Sequence, residues 1–258
     1  MVTSTAVPPA AAPPARLDEP LLAFVAATVL AAGLYWTGRM VPFVGENLHG
    51  AIALVFLFTP RVASALSHRP FDYEQAGLRL WPLALNLKVL LLALLVAFPL
   101  FFLAFLGFYR GVCSLIGSPT FGFYADWMAS NCVRWRGWSP THVDLPPDFA
   151  LVALTQLVVI AVPEELFFRG YLQTRLEERW PPGRRLFGAP VGRALLVSSL
   201  LFAVGHVLVD LNPQRVAVFF PALVFGWMRA RTGSIAAAAT FHALCNLYSE
   251  LLHRWYFN

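Results

Sequence analysis

Charged residues are scarce in this chain of 258 residues. They make up 13% of the sequence, whereas 58% of the residues are hydrophobic and the mean hydropathy is +0.63. An average soluble domain has about 25% charged and roughly 45–50% apolar residues. A soluble protein of this size could not cover so much apolar surface with so few charges, but a membrane protein can expose that surface to lipid. The composition therefore excludes an ordinary soluble enzyme and predicts one membrane-embedded domain.

Basic clusters and metal-binding cysteine patterns are also lacking. Lys and Arg number 19 against 14 for Asp and Glu, but they are scattered near the ends of apolar segments. This spacing fits membrane loops beside lipid headgroups, so we expect no nucleic-acid partner. The three cysteines show no CxxC pair and no disulfide framework. Cys113 and Cys132 share one loop, however, and can pair if that side of the membrane is oxidising.

The first 16 residues are rich in Ala and Pro and lack an apolar face that could be buried. We therefore predict a disordered tail over residues 1–18 and a single transmembrane domain over residues 19–258. No basic segment precedes the first apolar stretch, and no cleavage site follows it. That stretch is expected to be a retained helix rather than a signal peptide.

Seven apolar stretches approach the length of about 20 residues that a membrane-spanning helix needs. They predict an all-α, polytopic transmembrane bundle of about seven to eight helices. The stretches are residues 21–36, 44–66, 83–109, 150–172, 194–209, 216–228 and 235–252.

Arginines are densest between the fourth and fifth predicted spans, in residues 174–193. The positive-inside rule places this loop in the cytoplasm, together with the N-terminus. Residues 110–149 then lie on the other side of the membrane. The composition and the short loops favour a bacterial inner membrane.

The fourth span contains the adjacent carboxylates of Glu164 and Glu165, which follow Pro163. A charge near the centre of a bilayer costs about 2.5–3.5 kcal/mol on insertion scales, so such groups usually have partners or a function. Pro163 suits a helix start or a kink. Glu165 and Arg169 are four residues apart and can form an ion pair, whereas Glu164 points elsewhere. The alternative is that both glutamates lie in a loop at the membrane edge.

Two further apolar spans carry polar groups: His206 in the fifth, and His242 with Asn246 in the seventh. A lone histidine is more often a hydrogen-bonded core residue, and a His/Asn pair can simply join helices. Three spans with such groups, however, predict that they meet in one hydrated cavity. A carboxylate and an imidazole can then act on one water as base and acid, and the His/Asn pair can stabilise an oxyanion.

The ordered motifs resemble those of the CAAX-protease and bacteriocin-processing family of intramembrane endopeptidases, also called the Abi family. They are Glu164-Glu165-x-x-x-Arg169, Phe202-x-x-x-His206 and His242-x-x-x-Asn246. Residues 220–234 also resemble the family segment that precedes the last motif. The motifs lie in a core that we place at residues 150–254, whereas the first half of the chain resembles the family only in being hydrophobic and multi-spanning.

The resemblance implies a role for each matching residue. Glu164 would activate water with His206, and His242 with Asn246 would stabilise the oxyanion. Glu165, Arg169 and Phe202 would support them. It implies glutamate-type chemistry without a cofactor, although Glu164, His206 and His242 are also an acceptable ligand set for catalytic zinc.

The expected function is hydrolysis of a peptide bond in a membrane-anchored protein or peptide. Prenylated proteins, C-terminal sorting signals and secreted peptides are the substrate classes that the family suggests. Two other classes of function stay open: a non-catalytic immunity or binding protein with the same architecture, and a transporter that relays protons through buried Glu and His.

Overall fold

The structure is a computed structural model that describes residues 17–115, 132–135, 137, 140 and 143–257. The tail predicted for residues 1–18 lies almost entirely outside these residues. The described part is dominated by helices, which confirms the predicted all-α bundle of seven to eight helices. In chain order they are α1 (Asp18–Gly38), α2 (Pro42–Glu46), α3 (Leu48–Ser67), α4 (Leu83–Leu115), α5 (Phe149–Arg179), α6 (Arg193–Asp210), α7 (Phe219–Thr232) and α8 (Ala236–Phe257), with a 3₁₀ turn over Pro213–Val218 before α7.

Among the described residues, five helices are long and apolar enough to cross a membrane: α1, α3, α4, α5 and α6. The predicted sixth and seventh spans correspond to α7, which has 14 residues, and α8, which has 22. The C-terminal helix is long enough for a bilayer, but it carries polar residues of the candidate site and is less apolar. The five long apolar helices make the chain an integral membrane protein.

Helix α5 contains two wide π-helical stretches, Gln156–Ala161 and Leu166–Gln173, on either side of an α-helical turn at Val162–Glu165. Pro163 lies in that turn and has no N–H to donate, so the regular hydrogen-bond ladder must be interrupted there. π-helical turns are frequent at such interruptions and at functional sites. Glu164 and Glu165 therefore lie in mid-helix at a distorted turn rather than at a helix start.

Small residues allow the helices to approach one another closely. Ala23, Ala27 and Ala31 form a fully buried stripe on α1, and such stripes favour close helix packing in membranes. Gly226 on α7 also allows close helix packing, because an added Cβ would lie only 2.9 Å from both Gln173 Oε1 and Leu195 Cγ. This packing brings α5, α6, α7 and α8 around one centre.

One end of the bundle, which we call the basic end, is held by ion pairs and a small hairpin. Arg69 pairs with Glu19 and Glu178, and Arg175 Nε lies 3.3 Å from Glu19 Oε1. The antiparallel strands β1 (Arg184–Leu186) and β2 (Ala189–Val191) form the hairpin. Trp227 Nε1 donates to the Leu186 carbonyl at 2.9 Å, which fixes the hairpin against α7.

The other end, which we call the opposite end, contains a disulfide between Cys113 and Cys132. This is the pairing that their shared loop allows. Arg254 Nε contacts Asp144 Oδ2 at 3.0 Å, and Trp255 donates to the Asp144 carbonyl at 2.8 Å. These contacts tie the segment before α5 to the end of α8.

Candidate active site

A cavity of about 520 Å³ lies between α1, α3, α5, α6, α7 and α8. Ligand sites in proteins typically have about 300–1,000 Å³, so this volume admits a short peptide segment. Glu164, His206, His242 and Asn246 all line the cavity. The structure therefore brings together the four residues that the sequence indicated as catalytic candidates.

Glu164 lies between the two imidazole rings. Its Oε2 atom is 3.8 Å from His206 Nε2 and 3.8 Å from His242 Nε2. These distances are too long for direct hydrogen bonds, but one water can bridge atoms at such a separation. Oε2 has no hydrogen-bond partner among the described residues. The carboxylate is thus available to a molecule in the cavity.

His242 is oriented by a buried chain of charged groups. Its Nδ1 atom lies 3.0 Å from Glu165 Oε1, which in turn lies 3.2 Å from Arg169 Nη1. Glu165 and Arg169 are both completely buried. A carboxylate accepts hydrogen bonds, so Nδ1 carries a hydrogen and the Nε2 atom faces Glu164.

The predicted Glu165–Arg169 pair is therefore present, but Glu165 has a second contact that the sequence did not indicate. Arg169 also donates to the Ala222 carbonyl at 3.1 Å. Its guanidinium carbon lies 4.5 Å from the centre of the Phe202 ring and 5.1 Å from that of Phe225. The two aromatic faces stabilise the buried cation.

His206 is oriented by its own helix. Its Nδ1 atom lies 2.9 Å from the Phe202 carbonyl, one turn earlier in α6. A carbonyl only accepts, so Nδ1 is the protonated nitrogen and Nε2 is directed to the cavity. The Phe202 ring contacts both the His206 ring, at 4.4 Å between centroids, and the His242 ring, at 5.7 Å. Phe202 thus separates and positions the two imidazoles.

Asn246 lies one turn beyond His242 on α8. Its Nδ2 group donates to Gln156 Oε1 at 2.9 Å. Gln156 was missed in the sequence, although a single amide in the apolar first half of α5 was a usable signal. This hydrogen bond occupies one N–H of Asn246 and leaves the other free to act in the cavity.

Several residues around the cavity were also missed because they lie far apart in the sequence. His49 on α3 lines the cavity and a smaller adjoining one of about 70 Å³ that reaches Glu164 between α3 and α5. Asp210, Arg215, Glu250 and His253 line the main cavity at the opposite end. No local motif marks these residues.

The carboxylate of Glu164 and the imidazoles of His206 and His242 lie farther apart than the ligands of one zinc ion. Ligand atoms bound tetrahedrally at about 2.0–2.1 Å from one zinc lie about 3.4 Å apart, which is shorter than the two 3.8 Å separations. In the part of the chain that the structure describes, no group of three or more His, Cys, Asp or Glu residues is arranged to hold a metal ion. Metal independence stays a prediction that experiment must decide.

The described residues form a helical membrane bundle in which a carboxylate lies between two imidazoles. The family model described as type II CAAX prenyl endopeptidase Rce1-like matches residues 146–248 of the chain. This match confirms the resemblance to the CAAX-protease family and covers all the candidate catalytic residues. The matched family is a peptidase family, which supports peptidase activity for this chain in general terms. No curated protein and no solved structure matches the chain.

Proposed function

We propose that the protein hydrolyses a peptide bond in a membrane-anchored protein or peptide with a water molecule that Glu164 activates. The observation that carries the proposal is the position of Glu164 Oε2, which is 3.8 Å from Nε2 of both His206 and His242 within the cavity. A water between these three atoms can form hydrogen bonds to the carboxylate and to a ring nitrogen together.

The hydrogen bonds of the two rings support a different role for each of them. Neutral His206 presents an unprotonated Nε2, because its Nδ1–H is held by the Phe202 carbonyl. It can therefore accept a hydrogen bond from the water while Glu164 removes the other proton. The oxygen then attacks the scissile carbonyl, and Glu164 or His206 returns a proton to the leaving amine.

His242 and Asn246 are proposed to stabilise the oxyanion that forms from the carbonyl oxygen. Donation from His242 Nε2 requires the doubly protonated ring, whose positive charge is balanced by Glu165 at its Nδ1 atom. Asn246 contributes the N–H that Gln156 does not use. Preorganised donors of this kind typically provide a large share of the rate enhancement in acyl transfer.

The experiment that tests the proposal is cleavage of a library of membrane-anchored peptide reporters by the purified protein in lipid vesicles. Glu164→Gln keeps the side-chain volume and removes its basicity, so cleavage should fall by about 10²–10⁴-fold. The matched control is Glu74→Gln, which changes an exposed glutamate in the loop between α3 and α4. Full activity of Glu164→Gln would refute the proposed role, and equal losses in both variants would indicate a general effect of the substitution.

A further inference from the structure

We infer that the cavity opens at the opposite end of the bundle, on the non-cytoplasmic side of the membrane. The substrate would then be a membrane-anchored protein or peptide whose cleavage segment lies outside the cytoplasm. The direction of opening rests on geometry, charge and the disulfide. The substrate class also rests on the proposed proteolytic function.

The residues that line the cavity become more exposed toward the opposite end. Glu250 and His253, on the last turns of α8, are exposed, as is Arg215 after α6. His49 at the start of α3 is exposed and lines the same cavity. The mouth is thus formed by the α3 start and by the α6 and α8 ends that lie beside the Arg254–Asp144 contact.

Toward the basic end the cavity is closed by aromatic side chains. Phe168, Phe202 and Phe225 line it and are only 2%, 1% and 2% exposed. Arg169 is completely buried against Phe202 and Phe225. Beyond it, the loop between α3 and α4 covers the helices, where Arg229 Nε donates to the Ala76 carbonyl at 3.2 Å. None of the described residues that line the cavity belongs to the basic end.

The distribution of arginines places the basic end in the cytoplasm. Among the described residues, ten arginines lie in the loops and helix ends of the basic end and five in those of the opposite end. The first set is Arg61, Arg69, Arg79, Arg175, Arg179, Arg184, Arg185, Arg193, Arg229 and Arg231; the second is Arg39, Arg110, Arg134, Arg215 and Arg254. An excess of basic residues marks the cytoplasmic loops of membrane proteins.

The disulfide supports the same orientation independently of charge. Cys113 and Cys132 are bonded at the opposite end. Disulfides persist in the bacterial periplasm and outside the cell, whereas the cytoplasm keeps thiols reduced. The cavity mouth is at this end as well. Charge and redox chemistry therefore place the mouth on the non-cytoplasmic side.

This orientation selects among the substrate classes that the family suggests. A peptide segment that has been exported but is still anchored in the membrane reaches the mouth directly. Sorting signals and secreted peptides with a membrane anchor have this arrangement. A prenylated C-terminus in the cytoplasm would meet the closed basic end instead.

Thiol labelling tests the direction of opening without requiring proteolysis. Single cysteines are introduced in a Cys245→Ser background, because Cys245 also lines the cavity. Ser249→Cys reports on the cavity wall, Arg215→Cys on its mouth, and Arg185→Cys in strand β1 on the basic end. A charged, membrane-impermeant maleimide added to intact cells should label the first two, and it should label Arg185→Cys only after permeabilisation. Labelling of Ser249→Cys and Arg215→Cys only after permeabilisation would overturn the inference. So would external labelling of Arg215→Cys with Ser249→Cys unreactive in intact and permeabilised cells, because the mouth would then lead to no open cavity.

Two reporters test the substrate class. Both reporters have one membrane anchor and the same cleavable segment from the reporter library. In one reporter the segment lies on the non-cytoplasmic side of the anchor, and in the other it lies on the cytoplasmic side. Cleavage should be confined to the non-cytoplasmic reporter, and cleavage of the cytoplasmic reporter alone would overturn the inference. If neither is cleaved while the labelling pattern is as expected, the proposed proteolysis fails and the direction of opening stands.

Discussion

Replacement of Arg169 by Met should destabilise the protein strongly. The side chain is completely buried, with Nη1 3.2 Å from Glu165 Oε1 and Nη2 3.1 Å from the Ala222 carbonyl. Met replaces the aliphatic part of the side chain but has no charge, so Glu165 would lose the guanidinium and the buried cluster would keep an uncompensated negative charge. Removing one partner of a buried ion pair typically costs about 3–5 kcal/mol of unfolding free energy. We expect a loss in this range.

The loss can be measured by denaturant or thermal unfolding in detergent micelles of one composition. The matched control is Arg179→Met, at an exposed arginine near the end of the same helix, where surface substitutions usually change stability by no more than about 0.5 kcal/mol. The double variant Glu165→Gln/Arg169→Met should recover part of the loss, because the uncompensated charge is removed as well.

One result would refute this reasoning. If Arg169→Met unfolds like Arg179→Met but has lost activity, the guanidinium does not hold the fold together. Arg169 would then act on the substrate or on the transition state, and the ion pair with Glu165 would be incidental to stability.

Three further predictions follow from the site and from the disulfide. Proteolytic activity should survive strong chelation, and no metal should copurify stoichiometrically. If chelation abolishes cleavage and zinc alone restores it, Glu164, His206 and His242 must be interpreted as zinc ligands. The metal content of Glu164→Gln would then decide whether Glu164 binds the metal or activates water. Asn246→Ala should lower the rate of cleavage by about 10²–10³-fold, as expected for a lost oxyanion donor. Gln156→Ala should lower the rate less, because it removes only the hydrogen-bond partner of Asn246. Equal losses of rate would mean that Gln156 itself contacts the substrate. Replacing Cys113 and Cys132 together by Ser should lower the free energy of unfolding by about 3 kcal/mol, since the disulfide closes a loop with a sequence separation of 19. Unchanged unfolding of the double variant would contradict this expectation.

The sequence predicted most helices of the fold well, because each arises from local apolar content. The predicted span at residues 194–209 is the helix Arg193–Asp210, and the span at 150–172 lies within α5. The pairing of Glu165 with Arg169 also follows from local spacing, since residues four apart share a helix face. Within one helix, the periodicity of the sequence was therefore sufficient to predict which side chains meet.

Contacts between helices could not be predicted in the same way. The contact of Glu165 with His242 joins residues that are 77 positions apart, and that of Asn246 with Gln156 joins residues 90 positions apart. Neither is set by a repeat or by a spacing in the chain. The two π-helical stretches of α5 were also unforeseen, because a proline such as Pro163 signals only that the hydrogen-bond ladder is interrupted and does not show how the helix adjusts.

The charges around the cavity suggest why one of the two rings is suited to carry a proton. Glu164, Glu165 and Arg169 together contribute a net charge of −1 when both carboxylates are ionised, and uncompensated charge is unfavourable in a membrane interior. A proton on His242 brings the sum to zero, and its Nδ1 atom lies 3.0 Å from Glu165 while its Nε2 atom faces Glu164. His206 Nε2 lies at the same 3.8 Å from Glu164 Oε2, but the Nδ1 atom of His206 contacts a neutral carbonyl instead of a second carboxylate. The proposed division of roles, with His242 as the cationic oxyanion donor and His206 as the neutral partner of Glu164, is therefore the arrangement that balances the buried charge.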